Sequence, residues 1–110
     1  MELKIDVRNE ETKSTVLLTG EIDAYTAPRL KSTILPLTKE SGQTVEVNME
    51  DVNYMDSTGL GVFISALKST KETDSHLKLV NLQSRVARLF KITGLDEIID
   101  IDTAIRGGNE

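Results

Sequence analysis

No cysteine occurs among the 110 residues, which excludes a disulfide scaffold and any thiolate chemistry. Tryptophan is absent too, and aromatics make up 4% of the chain, so a core has to be built mainly from Leu, Ile and Val. No apolar run approaches the length of a membrane span, and the charged N-terminus lacks the apolar centre of a signal peptide. A soluble, cytoplasmic protein is the expectation. Positive charge is scarce: 13 Lys and Arg stand against 18 Asp and Glu, a formal net charge of -5. Neutralising nucleic-acid phosphates needs a basic field, so that balance argues against direct nucleic-acid binding and equally against an anionic membrane. A basic protein partner stays open. The length suits one compact domain, placed at residues 1–105, with residues 106–110 read as a frayed tail.

What is present is a pattern of alternating strands and helices. Leu3, Ile5 and Val7 alternate with polar residues, and Val16 to Leu18 mark a second strand after a polar connection at Glu10 to Ser14. Thr44 to Met49 and His76 to Val80 read as further strands, with a short fifth around Ile98 to Ile101. A helix starts near Thr26, read as its cap. Pro28 sits in its first turn, Leu30, Ile34 and Leu37 form its stripe, and Pro36 bends or shortens its end. A second helix, from about Thr58 to Lys71, presents Leu60, Phe63, Ile64 and Leu67. A third follows Ser84 with Val86, Leu89 and Phe90, and Gly94 stops it. The order predicts an α/β domain: a mixed sheet whose later strands run parallel, covered on one face by helices.

The most informative run is Asp56-Ser57-Thr58-Gly59-Leu60-Gly61, where the third strand gives way to the second helix. Ser57 is read in two ways. It can cap the helix. It can also carry a phosphate, which would meet unpaired N–H groups and the positive end of the helix dipole. Capping does not account for Gly59 and Gly61, which cost helix stability and leave backbone open to a partner. Thr58 is an alternative acceptor that spacing does not separate from Ser57. A similar strand-to-helix connection, Gly20 to Pro28, contains Asp23 and Tyr25. If the two strands are parallel, both connections open at one end of the sheet, and Asp23 and Asp56 form an acidic rim around Ser57. A turn role for Asp23 is the competing reading.

Catalysis by the chain itself is the weaker expectation. A serine nucleophile needs a base and an orienting group, and the single histidine, His76, lies beyond the following helix. There is no Gly-x-Ser-x-Gly elbow, no phosphate loop with its lysine and no calcium-loop spacing among Asp96, Glu97, Asp100 and Asp102. Arg85, Arg88 and Lys91 read as a solubilising helix face.

Gly20 to Pro28, the Met55 to Gly61 run and Leu89-Phe90-Lys91-Ile92-Thr93-Gly94-Leu95 together resemble bacterial anti-sigma factor antagonists of the STAS-domain family, most of all those of the sigma-B stress pathway. The resemblance runs from the first strand to about Ile101. It implies a SpoIIAA-like STAS fold and a non-enzymatic regulator that binds no cofactor of its own. The unphosphorylated form would bind an anti-sigma factor serine kinase and so release the sigma factor. Phosphorylation at Ser57 would break that complex, and a PP2C-like serine phosphatase would restore it. Asp23, Asp56, Ser57, Thr58, Gly59 and Gly61 match the family's interaction surface. A sporulation-branch antagonist and a STAS signalling scaffold are the alternatives.

Overall fold

The computed structural model describes residues 2–102; the expected end of the domain at 105 and the tail at 106–110 lie outside them. The chain runs β1 (Leu3–Asn9), β2 (Lys13–Ile22), α1 (Ala27–Leu37), β3 (Thr44–Met55), α2 (Ser57–Thr73), β4 (His76–Val80), α3 (Ser84–Ile92), a single 3-10 turn (Leu95–Glu97) and β5 (Asp100–Ile101). The strands lie side by side in chain order, with β1 antiparallel to β2 and every later pair parallel. The expected mixed sheet is therefore present.

Strand alternation decides which face is covered. Val16 and Leu18 of β2, Val45, Val47 and Met49 of β3, and Leu77 and Leu79 of β4 are buried, whereas the residues between them are only partly covered. The buried face forms one core with Leu30 and Ile34 of α1, Leu60, Phe63 and Ala66 of α2, and Val86 and Phe90 of α3. Strands placed in sequence, joined by crossovers of one hand, put their helices on the same face. The other face stays polar, as Lys4, Asp6, Thr15, Glu46 and Asn48 require.

Several boundaries differ from the sequence expectation, each for a physical reason. Ser14 belongs to β2, not to the connection: it is buried and donates a hydrogen bond to Asn9 Oδ1 at 2.7 Å, so the turn is confined to Glu10–Thr12. Strand β3 continues well past Met49, because the β2–β3 register slips between Leu17 and Thr19 and again between Gly20 and Glu21. Each irregularity breaks strict alternation, and the buried residues after Met49 are Val52 and Met55, three apart. Gly20 sits at the second slip with φ 123°, and a Cβ there would overlap the carbonyl oxygen of Glu2. In α2 the inward face is Leu60, Val62, Phe63 and Ala66, while Ile64 is exposed. Helix α1 ends at Leu37, one residue past Pro36.

Candidate functional site

The site lies where β2 and β3 end together. Their last residues, Ile22 and Met55, are register partners, and the Asp56 N–H donates to the Ile22 carbonyl at 3.2 Å. Parallel pairing thus brings the two connections to one end of the sheet, as expected.

Asp23 and Thr26 divide the work differently from the sequence reading. Asp23 is buried, and its Oδ1 accepts from the N–H groups of Tyr25 at 3.0 Å and Thr26 at 3.1 Å. The Thr26 hydroxyl makes no capping bond to α1; it donates to the Glu21 carbonyl at 2.9 Å and accepts the Asp23 N–H at 2.9 Å. An aspartate side chain that closes its own turn in this way fixes the chain where it leaves the sheet. The acidic rim is therefore not formed: Asp23 faces inward as a turn residue, and Asp56 alone stands beside Ser57.

Asp56 also takes over the role first given to Ser57. It adopts extended geometry before α2, and its Oδ1 accepts from the Thr58 N–H at 2.9 Å and from the Thr58 hydroxyl. Its carbonyl accepts from Gly59 at 3.0 Å and from Leu60 at 3.4 Å. Ser57 is the first residue of the helix, not its cap. Its side chain is exposed, and its hydroxyl has no hydrogen-bond partner among the described residues. The consequence is asymmetric. The Thr58 oxygen is held by a carboxylate, whereas the Ser57 oxygen points free beside it. The N–H groups just beyond Ser57 were expected to be free for a phosphate, but those of Thr58, Gly59 and Leu60 are engaged by Asp56. A phosphate on Ser57 would keep the favourable helix dipole but would sit next to the Asp56 carboxylate.

Replacing that cap has a measurable cost. Asp56→Ala is expected to lose about 0.5–2 kcal/mol, the ordinary value of a side-chain cap. Thermal unfolding should show Tm falling by several degrees, with Asp56→Asn retaining most of the stability. An unchanged Tm in Asp56→Ala would mean that the Asp56–Thr58 bond does not hold the helix start.

The two glycines have different jobs. Gly59 is buried, and a Cβ there would lie 2.5 Å from Met55 Cγ and 2.8 Å from Ile22 Cγ2. It lets α2 seat directly on the ends of both strands, so its glycine serves the fold and not an incoming partner. Gly61 is exposed, and a Cβ there would meet nothing within 4 Å. Beside it runs an open groove between α1 and α2, about 510 Å³ in volume, lined by Ala24, Ala27, Pro28, Lys31, Thr58, Gly61 and Val62. Sequence reasoning took in Ala24, Ala27 and Pro28 only as part of the Gly20 to Pro28 connection and passed over Lys31, whose one signal was its place a helical turn beyond Ala27 and Pro28 in α1.

Other candidates fall elsewhere. Tyr25 and Tyr54 are exposed at the same end of the sheet as Ser57. His76 lies at the opposite, N-terminal end of β4 and pairs with Asp100 Oδ2 at 2.8 Å, well away from Ser57 along α2. Arg85, Arg88 and Lys91 face solvent. No helix among the described residues is long and apolar enough to cross a membrane.

Known proteins share these features. The STAS domain family matches residues 4–107. The chain is 46% identical over 108 residues to the anti-sigma-B factor antagonist of Bacillus subtilis, covering 98% of both chains. It is 42% identical to the anti-sigma-B factor antagonist of Listeria monocytogenes, covering 92% of this chain and 90% of that one. Among solved structures, the Bacillus cell fate determinant SpoIIAA in its phosphorylated form superposes with a TM-score of 0.71 at 18% identity, over 92% of this chain and 93% of that one; this likeness concerns the fold. A free serine at the start of α2, on a mixed sheet that has five strands and three α-helices among the described residues, is thus carried by a chain that belongs to the STAS-domain family, as one of its anti-sigma-B factor antagonists.

Proposed function

We propose that this protein is a cytoplasmic anti-sigma factor antagonist switched by phosphorylation of Ser57. In its unphosphorylated form it binds an anti-sigma factor that is also a serine kinase, and the general stress sigma factor is released. The observation that carries the reading is the free Ser57 hydroxyl at the first position of α2, next to a threonine whose hydroxyl is bound to Asp56. Names of close relatives support the class of partner, and the solved phosphorylated form of SpoIIAA supports a phosphate on this fold.

The chemistry belongs to the partner. The Ser57 oxygen attacks the γ-phosphorus of ATP, the bond to ADP breaks, and the hydroxyl proton passes to a base of the kinase. The product carries roughly 1.5 to 2 extra negative charges on an exposed surface. A partner packed against a neutral serine then meets a charge it has no means to neutralise, and Asp56 adds to the repulsion. A PP2C-like serine phosphatase would restore the hydroxyl. Asp23 and Gly59 contribute by shaping the site, while Asp56, Ser57, Thr58 and Gly61 offer contact surface.

The test is to incubate the protein with an anti-sigma-B factor and ATP and to locate the phosphate by mass spectrometry. A single phosphate on Ser57, absent from Ser57→Ala, is expected. Modification of Thr58 in the unsubstituted protein would overturn the assignment of the acceptor.

A further inference from the structure

A phosphate on Ser57 would find the donors just beyond it already taken. Asp56 holds the N–H groups of Thr58, Gly59 and Leu60 through its side chain and its carbonyl, and it adds a negative charge of its own. The first connection offers no cation: the Asp23 carboxylate is closed into its own turn, and Tyr25 stands exposed beside it. Arg29 is turned away and donates to the Leu3 carbonyl. Lys68 and Lys71, on α2 itself, lie about 16 Å and about 21 Å further along the helix than Ser57.

Lys31 is differently placed. It is exposed one turn into α1, lines the groove between α1 and α2 together with Thr58 and Gly61, and makes no ion pair among the described residues. Gly61 lies one turn into α2, on the same exposed stripe as Ser57. A Cβ at 61 would meet nothing within 4 Å, so open space separates the lysine from the face that carries the phosphoacceptor. Glycine inside a helix costs stability relative to alanine, and packing explains it at 59 but not at 61.

We infer that Lys31 is the counter-ion that this chain supplies to a phosphate on its own Ser57, its ammonium crossing the open space over Gly61 to reach the phosphate oxygens. The inference rests on the reading of Ser57 as the phosphoacceptor and adds how the protein itself accommodates the modification. A lysine ammonium is a point charge on a flexible stem, suited to reaching a phosphate from a neighbouring helix. Phosphate oxygens accept strong charge-assisted hydrogen bonds, which offset the repulsion from Asp56. The phosphorylated form then differs in shape as well as in charge, because the Lys31 stem lies across the mouth of the groove.

The protein should be prepared with phosphoserine installed at position 57 during translation, so that no kinase is needed, and its phosphate titrated by phosphorus NMR. The unsubstituted chain is compared with Lys31→Gln, Lys31→Arg and Lys71→Gln. Phosphoserine takes up its second proton at about pH 6, and a nearby cation favours the dianion, which lowers that midpoint. Lys31→Gln is therefore expected to raise the midpoint by about half a pH unit, roughly threefold in proton affinity. Lys31→Arg should restore it, Lys71→Gln should leave it unchanged, and added salt should narrow the difference. No rise in Lys31→Gln, or an equal rise in Lys71→Gln, would overturn the pairing. A parallel incubation of the unphosphorylated protein with the Bacillus subtilis anti-sigma-B factor and ATP keeps the two readings apart. Absence of phosphate on Ser57 there would overturn the proposed function, while the titration alone decides the pairing.

Discussion

Ser57→Asp is expected to weaken binding to the anti-sigma factor by about a hundredfold or more while leaving the fold intact. The magnitude follows from geometry and charge. Ser57 is exposed at the first position of α2, so its side chain can change without disturbing the core. Asp56, immediately before it, already carries a carboxylate that caps the helix. A second carboxylate at 57 doubles the negative charge at one point of a contact surface. Unfavourable juxtaposition of charge in an interface costs several kcal/mol, and each 1.4 kcal/mol is about tenfold in affinity. Within the protein, by contrast, the helix dipole favours an acidic residue in the first turn, so Tm should stay within about 2 °C of the unsubstituted protein. Ser57→Ala should bind normally, because it keeps the surface neutral. Tight binding by Ser57→Asp, or a loss in Ser57→Ala equal to that in Ser57→Asp, would show that charge is not what the partner senses.

Phe63→Ala carries the largest expected cost in stability. Phe63 is fully buried on the inner face of α2, and its ring lies 6.0 Å from that of Phe90 on α3, tilted by 54°. It therefore joins α2 to α3 over the sheet in a chain with few other aromatic side chains. Truncating a buried phenylalanine costs about 3–5 kcal/mol, out of a total that is about 5–15 kcal/mol for a domain. Urea unfolding should show a midpoint far below that of the unsubstituted protein, and partner binding at 37 °C should fall with it because α2 carries Ser57. Ile64→Ala, next in sequence but exposed, should change stability by no more than about 0.5 kcal/mol. Equal effects from the two substitutions would contradict the observed orientation of α2.

That pair also shows what a sequence can disclose. Leu60, Phe63, Ile64 and Leu67 all fit a broad helical stripe, and only the position of the sheet beneath α2 decides that Val62 and Ala66 are inside and Ile64 outside. The strands were readable where alternation is clean, as in β4, and shortened where it fails: two register slips between β2 and β3 hide the second half of β3 from a period-two pattern. At the site, the meeting of the two connections at one end of the sheet was legible from the strand-to-helix order. The capping roles were not. Asp56 and Ser57 are both good caps, and one residue of register decides that Asp56 reaches the Thr58 N–H. At α1 no side chain caps the helix, and Asp23 instead closes the turn before it through the N–H groups of Tyr25 and Thr26. The groove with Lys31 was invisible because its walls come from two helices, far apart in the chain, and consist of residues that look like ordinary helix surface.

The most direct measurement of the central claim is a titration of this protein into a preformed complex of sigma-B with its anti-sigma factor, following free sigma-B by size-exclusion chromatography. Unphosphorylated protein should release sigma-B with a stoichiometric endpoint, and the same protein phosphorylated on Ser57 should release none. Sigma-B that stays bound in the presence of excess unphosphorylated protein, or that is released equally by both forms, would contradict the account.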